Sequence, residues 1–452
     1  MKATLGEIAA AAGGSIISGD ANILVKGVCT DSRKIVNGAL FIPLRGENFD
    51  GHDYISMSLS GGASACLTER HVEVPAGKGA VHVDDTRLAL GRLAAWWRGR
   101  YSIPVIAVTG SVGKTTAKDM IASVLGQKYK TLRTAVNLNN DIGMPLTLLS
   151  LDETHECAVV EIGMNHFGEI RYLARILRPF YVVMTNIGDA HIENLGSREG
   201  ILRAKSEVFE YIDPDGIAVV NGDDALLRNL RGTIRNCVIF CGEGECNARA
   251  EDIDISSGLS VSCSLWYKGS QLRVTIPSPG RHMVYPALFS LVLGKSLGLT
   301  ESQIKAGIEN FIPSKMRMDI KSLKNGVILL DDAYNANPQS MRSGIMTLSN
   351  INAARRIAVL GDMLELGDRG PAAHREIGKF CLESGIDCVF TTGDLGSLIS
   401  ETGPNSRHFP DKRSLISALL PELSPGTAVL VKASRGMRFE EIVKAIEENF
   451  NT

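Results

Sequence analysis

Val105-Ile106-Ala107-Val108-Thr109-Gly110-Ser111-Val112-Gly113-Lys114-Thr115-Thr116 is the stretch whose reading decides the fold. Four apolar residues, three of them β-branched, run into a turn holding two glycines, and Lys-Thr-Thr then opens a helical segment. A strand feeding a glycine-rich turn and a helix directs backbone N–H groups and the helix N-terminus at phosphate oxygens. The spacing therefore predicts that Thr109, Gly110, Ser111, Val112, Gly113, Lys114, Thr115 and Thr116 wrap the phosphates of a nucleotide. Lys114 would reach the β/γ-phosphates and the Thr115 hydroxyl would sit on Mg²⁺. A strict P-loop pattern carries Gly at position 108, where this chain has Val.

Outward from this motif the chain divides in three. Upstream, apolar residues recur at helical spacing from Asp85 to Tyr101 (Leu88, Leu90, Leu93, Ala94, Trp97) ahead of Pro104, which predicts a helix bridging into the P-loop domain. Trp96 and Trp97 on it read as packing residues. Before it, short β-like runs (Ile23 to Val28, Ala39 to Pro43) alternate with glycine-rich turns up to Val81-His82-Val83, a small α/β module. Downstream, Pro104 to Val108, Cys157 to Ile162, Tyr181 to Thr185 and Gly216 to Asn221 are continuous apolar runs separated by helical segments, the pattern of a parallel sheet covered on both faces. A further alternation, at Val327 to Leu330, Ile357 to Leu360, Cys388 to Thr391 and Ala428 to Val431, predicts a second doubly wound, Rossmann-like sheet. The expected class is α/β in three domains: 1–83, 84–312 with a mainly parallel sheet, and 313–452.

A chain of 452 residues is long enough for several cores and a deep cleft between them. Lys plus Arg number 48 against 50 for Asp plus Glu, a balance that predicts neither a nucleic-acid nor an anionic-membrane partner. Met1 to Gly14 lacks a long apolar core leading to a cleavage site, and no run approaches a membrane span in length, so a soluble, cytoplasmic protein is expected. The nine Cys form no C-x-x-C pair, and the closest set, Cys237, Cys241 and Cys246, has no nearby His, which fits reduced thiols rather than disulfides or zinc.

Three residues follow successive elements of the P-loop sheet. Glu161 closes the run CAVVE, at the carboxyl edge where open α/β sheets bind ligands. His191 follows the next strand in NIGDAHIENLGS, and Lys205 lies on a predicted helix in RAKSEVF. Alone, such a Glu caps a turn, such a His is structural and such a Lys is a surface charge. Joint placement beside a P-loop makes Glu161 and His191 candidates for the chemistry.

TGSVGKTT, TAVNLNNDIGMPLTLL, VVEIGMNHFGEI, NIGDAHIENLGS with RAKSEVF, and LLDDAYNANPQSM resemble, in that order and spacing, the Mur ligase family, over nearly the whole chain. GDMLELG (361–367) and VKASR (431–435) resemble the branch that adds D-alanyl-D-alanine, and the Asp-Asn-Pro-Arg motif of the diaminopimelate-adding branch is absent. The resemblance implies an ATP-dependent ligase of cell-wall synthesis that joins D-alanyl-D-alanine to UDP-N-acetylmuramoyl-tripeptide through an acyl phosphate, as a monomer. It implies two Mg²⁺ ions, one on Thr115 and Glu161, the other on Glu161, His191 and Lys205. An ammonium cannot ligate Mg²⁺, so Lys205 would have to be carbamylated. Catalytic roles fall by resemblance to Lys114, Glu161, His191 and Lys205.

TDSRKIVNGALFIPLRGENFDGHDYI resembles the uridine-nucleotide module of the later ligases and assigns Ser32 and Arg33 to the UDP end. Asn137, Asn139 and Asn140 would face the muramoyl substrate. Arg317 and Asp332 resemble ribose and phosphate contacts from the third domain, with Tyr334, Asn335 and Asn337 on the same loop. Lys432, Ser434 and Arg435 close a third-domain strand, where Arg435 would suit a dipeptide carboxylate. The family usually carries Asn residues after Pro-Gly-Arg-His on the adenine side, where this chain has Met283 and Pro286, and Met316 replaces the usual Gly before Arg317. Rival readings are a folylpolyglutamate synthase, another Mur ligase, and a nucleotide-binding subunit without ligase activity.

Overall fold

The computed structural model describes residues 1–135, 137–256 and 258–451. In the first module a five-stranded sheet runs in the order Ser15–Ser18, Gly79–His82, Ala65–Thr68, Leu40–Phe41, Val28–Cys29. Only its first pair is antiparallel. The run expected as one strand from Ile23 to Val28 is two, because Gly27 turns at φ +83°. Leu24–Lys26 pairs with Lys2–Thr4, and Val28–Cys29 pairs with Leu40–Phe41.

The bridging helix is Thr86–Arg98, and the Asp85 carboxylate caps it by accepting from the Leu88 N–H at 2.8 Å. Leu90, Leu93, Ala94 and Trp97 are buried whereas Leu88 is left exposed. The Trp97 indole donates to the Leu151 carbonyl at 2.9 Å, which ties the helix to the segment leading into strand Cys157–Glu161.

That sheet has nine strands in the order Ser270–Ile276, Val261–Tyr267, Ala248–Asp254, Cys237–Gly242, Ile217–Asn221, Tyr181–Met184, Val105–Thr109, Cys157–Glu161, Thr131–Arg133. From Ala248–Asp254 onward it is parallel. The two remaining strands are antiparallel, joined by a two-residue turn, Lys268-Gly269, with both φ positive, as a type I′ hairpin requires. This antiparallel end has one buried and one solvated face, and the strictly alternating burial along Ser270–Ile276 records it. Strand order reverses at Val105–Thr109, the switch point of an open α/β sheet, so the P-loop emerges where such sheets bind ligands.

The third sheet runs Asp319–Ser322, Ile328–Asp331, Thr427–Lys432, Arg355–Leu360, Cys388–Thr392, Arg407–Phe409, parallel except for its first pair. Its parallel register brings the loops after Asp331, Leu360 and Lys432 to one edge. No helix among the described residues is long and apolar enough to cross a membrane.

Candidate active site

The P-loop works here without a glycine at 108. Val108 lies fully buried inside the strand, and the tight turn falls two residues later, at Gly110 with φ +142°. A Cβ at Gly110 would stand 2.0 Å from the Thr185 hydroxyl, so only glycine fits. The turn is lashed to the end of the next strand: Ser111 N–H donates to the Asn186 carbonyl at 3.0 Å and Val112 N–H to the Asn186 carboxamide at 2.9 Å. Thr185 Oγ1 donates to the Val112 carbonyl at 2.6 Å. Lys114 opens the following helix, and its ammonium bonds the Gly110 carbonyl at 2.9 Å. Burial lowers the Lys114 pKa, against the opposing charge of Glu161. The Ser111 hydroxyl is buried without a protein partner and lines the cavity, the arrangement a phosphate oxygen would complete.

Glu161 is 2% exposed. Its carboxylate accepts from the Thr115 hydroxyl at 3.0 Å and from the Asn139 amide at 2.8 Å. Its backbone N–H donates to the Thr134 hydroxyl at 2.9 Å, which fixes the strand end. His191 sits in the left-handed region at φ +63°, and its Nδ1 lies 2.8 Å from the Glu365 carboxylate of the third domain. Lys205 occupies the last turn of helix Arg198–Ser206 and is 1% exposed, which rules out a surface lysine. Burial first, then the positive charge of Lys114, pushes its amine well below the usual lysine range.

Across the cleft, Met316 (φ +60°) and Met318 (φ +51°) flank Arg317 in the left-handed region, strain that a glycine at 316 would not carry. Tyr334 N–H holds the Met316 carbonyl at 3.2 Å, and Met318 N–H donates to Asp332 at 3.2 Å. The Arg317 guanidinium lies 3.9 Å over the Tyr334 ring. Lys432 is buried, its ammonium 2.5 Å from the Asp332 carboxylate and 2.9 Å from the Asn335 carbonyl. The Ser434 hydroxyl accepts from Leu364 N–H at 2.9 Å and donates to the Ala336 carbonyl at 3.3 Å, stapling the three loops of the sheet edge together. Asn337 caps helix Pro338–Asn350, and Arg435 is paired with Glu440 at 3.1 Å.

One cavity of about 740 Å³ collects Ser111 to Thr116, Asn137, Asn139, Glu161, His191, Arg317, Asp332, Tyr334, Asn335, Asn337, Lys432, Ser434 and Arg435. Other expected residues stand apart from it. Thr109 and Gly110 lie behind the loop, and Lys205 is buried away from the lining. The Asn140 carboxamide is taken by the N–H groups of Ile142 and Gly143, and Ser32 and Arg33 belong to the first module, where Arg33 folds onto Asp31 at 2.8 Å. Sequence reasoning passed over Asn186 and Glu365. Both lay inside quoted motifs, but nothing local marks the residue that buckles a loop or crosses to another domain.

The donor set suits a hard divalent cation: a buried carboxylate, a threonine hydroxyl and an imidazole nitrogen, with the His191 Nδ1 buried and lacking a well-aligned hydrogen bond. Burial and the positive charge of Lys114 both favour the neutral amine of Lys205, the form that can react with CO₂.

Three family models match: the Mur ligase family, catalytic domain, over residues 24–98, the Mur ligase middle domain over 108–294, and the Mur ligase, glutamate ligase domain, over 316–435. The UDP-N-acetylmuramoyl-tripeptide--D-alanyl-D-alanine ligase of Bacillus subtilis (strain 168) is 38% identical over 435 residues, 94% of each chain. The protein of the same name from Escherichia coli (strain K12) is 38% identical over 434 residues, 95% of each. Among solved structures, a crystal structure of MurF from Acinetobacter baumannii superposes with a TM-score of 0.93 at 32% identity, over 99% of both chains. MurF ligase from Thermotoga maritima in complex with ADP gives 0.85 at 28% identity, over 94% of this chain and 97% of that one.

Proposed function

The chain belongs to the Mur ligase family, and on that premise we propose that its cavity joins D-alanyl-D-alanine to UDP-N-acetylmuramoyl-tripeptide at the expense of ATP. It is an ATP-dependent ligase forming a carbon–nitrogen bond. The terminal carboxylate of the tripeptide attacks the γ-phosphorus, the bond to the β-phosphate oxygen breaks and ADP leaves. The dipeptide amine then attacks the acyl carbon of the acyl phosphate, phosphate departs, and the amine proton passes to solvent, leaving UDP-muramoyl-pentapeptide.

Two anions must meet in the first step, so the reaction needs fixed positive charge where negative charge gathers. Lys114 supplies it from the loop, and the backbone N–H groups of Ser111 to Thr116 hold the phosphates. Mg²⁺ would be held by Thr115 and Glu161, and a second ion by Glu161, His191 and a carbamylated Lys205, supplying further charge neutralisation at the transferred phosphoryl group. Asn139 keeps the Glu161 carboxylate aimed at Thr115. Arg317 and Asp332 take the nucleotide from the other side, and Lys432 holds Asp332 in place.

We assign Ser32 and Arg33 to the UDP end, Asn137 to the muramoyl group, and Tyr334, Asn335, Asn337, Ser434 and Arg435 to the dipeptide side. The working partition is 1–83, 84–312 and 313–452, in a monomer acting in the cytoplasm, in peptidoglycan synthesis and hence cell shape and division. The observation that carries the reading is the single cavity in which Lys114, Thr115, Glu161 and His191 of one domain face Arg317 and Asp332 of another. Phosphate release with UDP-muramoyl-tripeptide, comparing D-alanyl-D-alanine with single amino acids, tests it. Turnover with single amino acids and none with the dipeptide would overturn it.

A further inference from the structure

The wall on which a nucleotide base would rest has few groups left to read one. The loop from Asn221 to Ala225 follows strand Ile217–Asn221, two strands from the P-loop strand, roughly 10 Å away at ordinary strand spacing. Met283, Pro286 and Phe289 complete this part of the cavity as buried apolar side chains.

Most of its polar side chains are committed elsewhere. Asp224 accepts from the N–H groups of Ile187, Leu226 and Leu227. Asp223 accepts from the N–H groups of Glu243 (2.7 Å) and Gly244 (3.3 Å) and from the Tyr285 hydroxyl (3.0 Å), with Arg228 at 3.7 Å. That bond uses the Tyr285 proton. His282 is engaged with the Ser343 hydroxyl at 3.0 Å. The Asn221 carboxamide Oδ1 accepts from Asp223 N–H at 2.9 Å, leaving its Nδ2 as a donor. The Ser278 hydroxyl, which also lines the wall, donates or accepts and so favours no base edge.

Adenine differs from guanine and hypoxanthine at C6, an amino donor against a carbonyl acceptor, and at N1, an acceptor against a donor. Telling them apart takes an uncommitted acceptor and donor facing that edge. Resting on the reading of this cavity as the ATP site, we propose that the wall of Met283, Tyr285, Pro286 and Phe289 holds a purine by shape and apolar contact. Asn221 Nδ2 is a donor for a ring nitrogen common to all purines, so guanine and hypoxanthine nucleotides serve in place of ATP. A site built to hydrogen-bond a substrate edge rejects its analogue about 10⁴-fold or more, whereas apolar contact discriminates only about 10- to 200-fold.

The test pairs two measurements on the full chain with Mg²⁺. ATP, GTP, ITP and CTP compete against a fluorescent ADP analogue, and each then drives phosphate release with UDP-muramoyl-tripeptide and D-alanyl-D-alanine. GTP and ITP are expected within about 200-fold of ATP in both affinity and kcat/KM, with CTP weaker. Met283→Asn, which places a carboxamide on the wall, is expected to raise the ATP:GTP ratio. A preference of the native protein for ATP over GTP greater than about 200-fold overturns the proposal, whether or not the variant folds. Competition by all the purines without phosphate release would instead overturn the ligase reading and leave the base reading standing. Absence of competition by any nucleotide overturns both.

Discussion

Replacing Glu161 by Gln keeps the side chain's shape and removes its charge, so it isolates what the carboxylate does. Two donors converge on that carboxylate, Thr115 Oγ1 at 3.0 Å and Asn139 Nδ2 at 2.8 Å, and Lys114 is the nearby buried cation. Gln offers one acceptor oxygen and one NH₂, so one of the two donors must turn away or change role. Hydrogen bonds to charged groups contribute about 1.5–3 kcal/mol and neutral ones about 0.5–1.5, so two weakened bonds cost about 2 kcal/mol. In a domain of this size that lowers Tm by roughly 4–8 °C, readable by scanning calorimetry without nucleotide. Mg²⁺ with nucleotide should raise the Tm of the parent and leave that of Glu161→Gln nearly unmoved, and phosphate release should fall by at least about 100-fold. A variant with the parent's Tm and an undiminished Mg²⁺ response would refute the assignment of Glu161 as metal ligand and anchor of Thr115.

Lys205→Ala is expected to fold, because Ala is the best helix former and a buried amine whose charged form is disfavoured is removed, yet to lose most activity. Acetate should restore part of the rate, and parent turnover without it would make Lys205 a structural residue. Glu365→Ala breaks the interdomain contact with His191; the Glu365 side chain is 57% exposed, so a pair of this kind contributes up to about 1 kcal/mol and turnover should fall about two- to fivefold. Small-angle scattering should show weaker compaction with nucleotide and UDP-substrate, and an unchanged radius of gyration and rate would mark the contact as incidental. Burial pushes the Asp331 carboxyl up to about 6, above its ordinary 3.8, so the folded state holds that proton more tightly than the unfolded chain does. The group therefore costs stability above pH 6 and nothing below the unfolded value, and Asp331→Asn should stabilise by roughly 2–3 kcal/mol at pH 8, a gain that shrinks as pH falls from 6 to 4. Thermal melts across that range check it, and a gain independent of pH would contradict it.

The sequence by itself determined what short-range physics controls. The P-loop strand, turn and helix, the bridging helix with its Asp85 cap, and the apolar strands of the second and third sheets were legible because each follows from periodicity and capping within a dozen residues. The short strands Ser15–Ser18 and Ala65–Thr68 and the strands between Cys237 and Ile276 were not, because their pairing depends on partners elsewhere in the chain. Motif matching also brought most of the candidate site together: of the P-loop, Glu161, His191 and the third-domain set, nearly all reach one cavity. Only the tertiary structure decided the rest. Gly110 rather than residue 108 makes the turn because Thr185 crowds it from the neighbouring strand, and Asn139 turns to Glu161 while Asn140, one residue on, caps its own loop. Burial of Lys205 and the pairing of Lys432 with Asp332 depend on how elements far apart in the chain assemble around one sheet, and the reach of Glu365 to His191 on how two sheets lie against each other. A side chain's desolvation and its charge partners are set by residues a hundred or more positions away, and local sequence carries no record of them.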